Sequence, residues 1–286
     1  MFRVMKAVLA LGVLIGGGAA AQAQDAPKRE IVQISGDLYR FQNNFHYSVF
    51  LVTSEGVIAT DPINADAARW LKSEIARRFG QQIRYVVYSH DHADHSSGGE
   101  VFAADGAIVI AHENAKRTIL GEKRPTAVPQ ITFKKRMTLE LGGKTVELRY
   151  LGKNHSDNMI VMGFPDERTL FAVDFIPVKT VAYRDFSDAY LPEWIESLAR
   201  VEALDFDILA PGHGRLGTKA DVTAFREYMT DLTGQVLAQA RMGKSLEETK
   251  AAVDLSKYRD WGQFEAWSPL NIDGAYQRIQ LNRRGN

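Results

Sequence analysis

The stretch YVVYSHDHADHSSGG, residues 85 to 99, places three histidines and two aspartates within six positions, directly behind an apolar run. IRYVVYS reads as a buried strand, so the ligating groups stand where that strand ends. Side chains two apart on an extended segment leave the backbone on one side, so His90 and His92 can close on one cation. Asp94 and His95, beyond the turn, can reach a second. Neutral imidazole and carboxylate suit Zn²⁺, and two metals ~3.5–4 Å apart make a clamp for hydrolysis. A polar surface loop is the bland alternative, and so dense a set of ligating groups weighs against it.

Four residues cannot fill two metal spheres, so further His and carboxylate ligands are expected at the ends of later strands. The chain holds 7 His and 0 Cys, which removes thiolate ligands, disulfides and a cysteine nucleophile together. His155 follows the strand VELRYL, His213 follows FDILA within APGHG, and Asp174 ends LFAVD. Singly, a histidine after a strand is more often a hydrogen-bonded structural residue, and an aspartate there a cap or turn group. Together the three supply the missing ligand types. His112, at a helix start, has only N-terminal polarity to recommend it.

Around these positions the chain alternates strands with helices. IVQISGDLYRF predicts two short strands about a Ser-Gly-Asp turn, and YSVFLVTSEGVIATD a hairpin. Residues 65–79 carry Ala68, Leu71, Ile75 and Phe79 on one helical face and stop at Gly80. A helix near 97–104, the strand AIVIA and a helical turn from His112 follow. TLELGGKTVELRYL reads as a hairpin, NMIVMGF, TLFAVDF and FDILAP as strands, and PEWIESLARVEAL and residues 218–243 as helices. Residues 121–130, with two prolines, read as an exposed connection. The pattern predicts an α/β fold, a sandwich of two sheets with helices on both outer faces. Residues 236–286 are expected as a helical extension on the same domain, two helical segments parted by a Gly/Pro-punctuated stretch, with Trp261, Phe264 and Trp267 packing it down.

Residues 1–23 read differently. Basic Arg3 and Lys6, an uncharged run from Ala7 to Ala21 and small Ala21 and Ala23 form the pattern of a secretory signal cleaved after Ala23. A retained anchor is the rival, but the apolar core is short of the ~20 residues a spanning helix needs. Periplasmic or secreted localisation follows as an expectation, with no membrane attachment after cleavage. Without Arg3 and Lys6, 33 basic residues face 35 acidic ones, a balance with no footprint for nucleic acid. A small-molecule substrate is expected, and the oligomeric state is left open.

Asp61 in VIATDP, HDHADH, NHSDN, the strand ending in Asp174, and PGHG together resemble the metallo-β-lactamase superfamily of binuclear metallohydrolases, over roughly residues 30 to 235. The resemblance implies an αββα sandwich with two Zn²⁺ per chain at one edge. His90, His92 and His155 would hold the first ion, Asp94, His95 and His213 the second, and Asp174 would bridge them. Asp61 would steady the metal loops from behind; a plain turn aspartate before Pro62 fits the sequence equally. Two features depart from the lactamase subclass whose His-Thr-x-Asp-Asn is similar to His155–Asn158: that subclass has arginine where His95 stands and cysteine where Asp174 stands. The full His/Asp set is shared instead with glyoxalase-II-like thioesterases and lactonases.

Two Zn²⁺ ions sharing a water would bring its pKa towards ~7, with Asp94 placed to orient it and carry a proton away. The expected reaction is hydrolysis of an amide, lactam, lactone or ester, β-lactams among them. An iron-dependent oxidoreductase on the same ligands is the rival enzyme, and a non-catalytic binding scaffold a rival of another class. Substrate contacts are sought at Phe45 and His46, where a plain loop is as good a reading, and at Lys179, Tyr183 and Arg184, where a solvated charge is the ordinary role.

Overall fold

A computed structural model describes residues 26–282; the signal sequence read at residues 1–23 lies outside the described residues. Strands β1 (Arg29–Ser35), β2 (Leu38–Asn43), β3 (His46–Thr53) and β4 (Gly56–Thr60) run as an antiparallel meander. Helix α1 (Ala65–Phe79) then returns the chain so that β5 (Ile83–Val87) lies parallel to β4. Two short helices, α2 (Ala93–Ser96) and α3 (Gly99–Ala103), lead to β6 (Ile108–His112), and α4 (Glu113–Gly121) to β7 (Ile131–Phe133), both parallel additions. These seven strands form one sheet in sequence order.

The second sheet starts with the hairpin β8 (Arg136–Leu141) and β9 (Lys144–Arg149), continues through β10 (Val161–Phe164) and β11 (Thr169–Phe171), and closes with β12 (Ile208–Ala210), parallel to β11 across helix α5 (Leu191–Glu202). Helices α6 (Lys219–Arg241), α7 (Leu246–Ala252) and α8 (Phe264–Asn282) complete the described chain. Among the described residues no helix is long and apolar enough to cross a membrane.

Strand side chains alternate faces, and that alternation builds the layers. Phe50 joins Ala68, Leu71 and Ile75 of α1 on the outer face of the first sheet, while its neighbours Val49 and Leu51 meet Val146, Leu148 and Met162 between the sheets. Leu170 and Leu209 face outward against Trp194 of α5 and Phe225 of α6, and Phe171 and Ala210 face inward. β4 is buried along its whole length, so Val57, Ile58 and Ala59 are apolar in succession: both its faces are covered. The fold is the αββα sandwich.

Helix α1 shows how local sequence fixes an element. The Asn64 side chain accepts from Ala67 N at 2.9 Å, and Gly80, at φ 63°, ends the helix in the left-handed conformation a Cβ would oppose. Three details differ from the sequence reading. β7 is an extra strand, too short to show a period. The connection at 121–130 is exposed over most of its length as read, but it is anchored at two points the sequence did not mark, with Thr126 donating to Ser96 O at 2.6 Å and Arg124 pairing with Asp91 at 2.9 Å. Pro269 lies inside α8 and does not break it. Leu255, Tyr258, Ile272 and Ala275 of the C-terminal segment belong to the core beneath α5 and α6, with Trp261, Phe264 and Trp267 packed partly buried against it.

Candidate metal centre

Parallel strands all point their carboxyl ends one way, and loops leaving those ends converge on one edge. Asp61 follows β4, His90 follows β5, Asp174 follows β11 and His213 follows β12. His92 stands at the N-terminus of α2, whose single turn carries Asp94 and His95. His155 lies on the loop after β9, pinned where Ile160 N donates to Ser89 O at 2.9 Å and Tyr150 Oη to Asp157 O at 3.0 Å. The β2–β3 hairpin holds the PGHG loop: Arg40 Nη2 donates to the Pro211 and Gly214 carbonyls, each at 2.8 Å, and Tyr47 N to Gly212 O.

Two groups of ligating atoms result, each with all members within 4.8 Å of one another: His90, His92, His155 and Asp174; and Asp94, His95, Asp174 and His213. Asp174 belongs to both. Its Oδ2 lies 3.7 Å from Nε2 of His90 and of His155 and 3.2 Å from Nε2 of His95, and its Oδ1 lies 3.2 Å from His213 Nε2. His46 Nε2 approaches Asp94 Oδ2 at 3.3 Å, at the half-exposed side of the second group.

What stands behind each ring fixes which nitrogen faces inward. The Ser89 hydroxyl donates to Asp61 Oδ2 at 2.7 Å, so its oxygen is left to accept from His90 Nδ1 at 2.9 Å. His95 Nδ1 donates to Asp61 at 3.1 Å, His213 Nδ1 to Phe45 O at 2.9 Å, and His92 Nε2 to Asp188 at 2.8 Å. Four imidazoles thus spend their N–H on a support and turn the other nitrogen to the interior, the arrangement metal-bound histidines adopt. Among the described residues, the buried atoms His90 Nε2, His95 Nε2 and Asp174 Oδ1 have no partner in hydrogen-bond geometry. Buried polar atoms seldom go unpaired. One unpaired imidazole nitrogen in each group, with the Asp174 carboxylate common to both, fits a pair of cations, and the all-nitrogen and oxygen donor set suits zinc or iron alike.

The charges agree with that fit. Burial holds His90 well below the ordinary imidazole value, and burial also lowers His155. Burial opposes charge on His95 too, but Asp174 and Asp61 outweigh it and raise His95 well above the ordinary value. Burial resists ionisation of Asp174, yet His95 and His213 carry it well below the usual carboxylate range. At Asp94 the bond from His46 overcomes burial and lowers the carboxyl to about 2. These acids stay ionised at neutral pH.

All seven ligand candidates from the sequence therefore come together, and fully buried Asp61 sits behind His95 and Ser89. Phe45 is 83% exposed beside His213 and His46. Lys179 and Tyr183 lie elsewhere: Lys179 Nζ is 5.3 Å from the Trp261 ring and Tyr183 packs on Trp267 at 5.1 Å. Among the described residues they share no hydrogen bond or ion pair with either group, and Arg184 stacks on Tyr183. His112 caps α4 and donates from Nε2 to Lys134 O at 2.8 Å. Sequence reasoning missed Asp188, Ser89 and the clamp in which Asn158 and Arg124 both bind Asp91. No local spacing marks them.

The family model described as "Metallo-beta-lactamase superfamily" matches residues 46–213, more than half the chain. The chain belongs to that superfamily. Members of the superfamily bind a dinuclear metal site and are for the most part metal-dependent hydrolases. Among curated relatives, the 2,4-dinitroanisole O-demethylase subunit alpha of Nocardioides sp. (strain JS1661) is 25% identical over 258 residues, 88% of this chain and 75% of that one. The metallo-beta-lactamase type 2 of Elizabethkingia meningoseptica is 27% identical over 207 residues, 68% of this chain and 80% of that one. The solved metallo-beta-lactamase from Pontibacter korlensis superposes with a TM-score of 0.65 at 19% identity, covering 71% of this chain and 99% of that one, a likeness of fold.

Proposed function

We propose that this protein is an exported zinc hydrolase that cleaves an amide, lactam, lactone or ester bond of a small molecule. The observation that carries the reading is the sharing of Asp174 between two groups, in each of which one histidine, His90 or His95, turns an unpaired nitrogen inward. Two bound cations would supply acidified water and a Lewis acid for the carbonyl oxygen. His90, His92 and His155 would hold one, Asp94, His95 and His213 the other, with Asp174 between. Export rests on the sequence of residues 1–23.

Asp94 differs from Asp174 in being half exposed, at the mouth of the site, and in having His46 at its outer oxygen. A carboxylate there can orient the attacking water and accept its proton, and His46 gives that proton a way to solvent or to the leaving group. Phe45 presents an exposed ring at the same mouth, where an apolar part of a substrate can rest. His95 and Asp174 in place of arginine and cysteine leave a β-lactam as one candidate among several.

The test is a panel of nitrocefin, a carbapenem, a lactone, a thioester, an aryl ester and 2,4-dinitroanisole, run on zinc-loaded protein, on chelator-treated protein and on His92→Ala. Hydrolysis of at least one member that disappears with chelator, returns with zinc and is lost in His92→Ala is the expected result. No hydrolysis of any member, with thiol oxidation or dioxygen consumption by iron-loaded protein, would assign the site to the oxidoreductase reading.

A further inference from the structure

Between β11 and α5 the chain runs through residues 178–190 without helix or strand, and Lys179, Arg184 and Phe186 there adopt φ of 49°, 49° and 56°. Left-handed backbone at non-glycine residues persists only where surroundings hold it. The surroundings are the C-terminal segment. Gly262 exchanges backbone hydrogen bonds with Lys179 and Val181 at 2.8 and 3.1 Å. Asn271 of α8, itself buried and bonded to Tyr228, donates to the carbonyls of Ala182 and Arg184, and Arg278 Nε donates to Phe186 O at 2.7 Å. At Gly274 the helix approaches so closely that a Cβ would lie 2.1 Å from Asp185 O. The carbonyls of Ala182 and Arg184 thus take their hydrogen bonds from α8 and that of Lys179 from Gly262, while Phe186 O accepts from Arg278 as well as from Ala189 N of the segment itself.

The segment so held delivers one carboxylate to the metal centre. Asp188 Oδ2 accepts from His92 Nε2 at 2.8 Å, while His92 Nδ1 faces His155 Nε2 at 3.2 Å. Just beyond, Tyr190 N donates to Asn154 O beside His155. We propose that α8 is a strap that seats Asp188 behind His92, so that the C-terminal segment sets the geometry and basicity of one metal ligand from outside the span matched by the family. Asp188 is a positioning residue: its carboxylate fixes the His92 ring with Nδ1 inward, and its charge strengthens that nitrogen as a donor. The inference rests on the metal-centre reading.

The test is competition of Zn²⁺ and Co²⁺ against a chromophoric chelator in the full-length chain, with the visible spectrum of the Co²⁺ form recorded and folding followed by circular dichroism. Asp188→Ala is expected to weaken one ion by roughly 10- to 100-fold, leave the other nearly unchanged and shift the Co²⁺ bands. Asp188→Asn, which keeps the acceptor and removes the charge, is expected to do the same to a smaller degree, and it carries the test should the alanine variant lose its fold. Asn271→Ala, which does not touch the site, is expected to weaken the same ion. Equal weakening of both ions, or of neither, in the Asp188 variants overturns the role of Asp188. An unaltered Co²⁺ spectrum in Asn271→Ala overturns the strap. A wild-type chain that takes up no ion overturns the metal centre itself, and this inference with it.

Discussion

Asp61 has no exposed surface, and its two oxygens accept from Ser89 N, Ser89 Oγ and His95 Nδ1. Replacing it with alanine strands those donors in the interior, at about 1–3 kcal/mol for each unsatisfied buried group. Asp61→Ala is expected to lower the unfolding midpoint of metal-free protein and to weaken the ion beside His95 more than the ion beside His90; equal loss at both would contradict its place behind His95. Protons compete with metal unequally at the two groups. Despite burial, His95 and His213 are raised by their carboxylate neighbours, so they bind protons where the metal would sit. His90 and His155 are lowered by burial, against a single raised imidazole, His92. As pH falls from about 8 to about 6, affinity for the ion at His95 and His213 should drop more steeply than at His90 and His155, as read by metal titration across that range. Residues of the HDHADH type were legible because ligand identity and spacing are local. Asp188 was not: it reaches His92 only through the path of an irregular segment.

Helices and strands bring the ligands together through close contacts that tolerate no added atoms. Gly212 is the case in point on the loop after β12: a Cβ there would lie 2.4 Å from Val173 Cγ1 and 3.0 Å from His95 Cε1. Gly212→Ala is expected to cost about 1–3 kcal/mol of stability by overpacking and to lower affinity for the ion at His95, both measurable in one series of melts with and without zinc. Helix α5 contributes Trp194, fully buried, whose Nε1 donates to Phe175 O at 3.0 Å and whose ring meets His155 edge-on at 5.7 Å. Trp194→Phe removes that donor and shrinks the contact, and His155 is expected to lose part of its restraint. The period-two strands, the Gly80 end of α1 and the long α6 were readable because each is written in a dozen residues or fewer, or in a sustained period. β7 was not, since ITF is held by parallel pairing with β6 across the sequence. Pro269 misled in the other direction: it punctuates the sequence, yet packing around Asn271 and Gly274 keeps α8 continuous.

Across the whole molecule the two groups of ligands straddle the seam between sheets. His90, His92, Asp94 and His95, with Asp61 behind them, hang from the first sheet, and His155, Asp174 and His213 from the second. Ions bound there would join the two halves, so ligand linkage should raise the unfolding midpoint with free zinc concentration. The layered architecture was legible from the order of elements, whereas the service of the C-terminal segment to residues 178–190 was not, because only folding brings Asn271 to Ala182 and Arg184. Diffraction from zinc-soaked crystals of the chain on both sides of the zinc edge tests the shared centre most directly. Two anomalous peaks about 3.5–4 Å apart, one among His90, His92 and His155 and the other among Asp94, His95 and His213, with Asp174 between, are the expected result. A single peak, or no peak between the sheets, would contradict it.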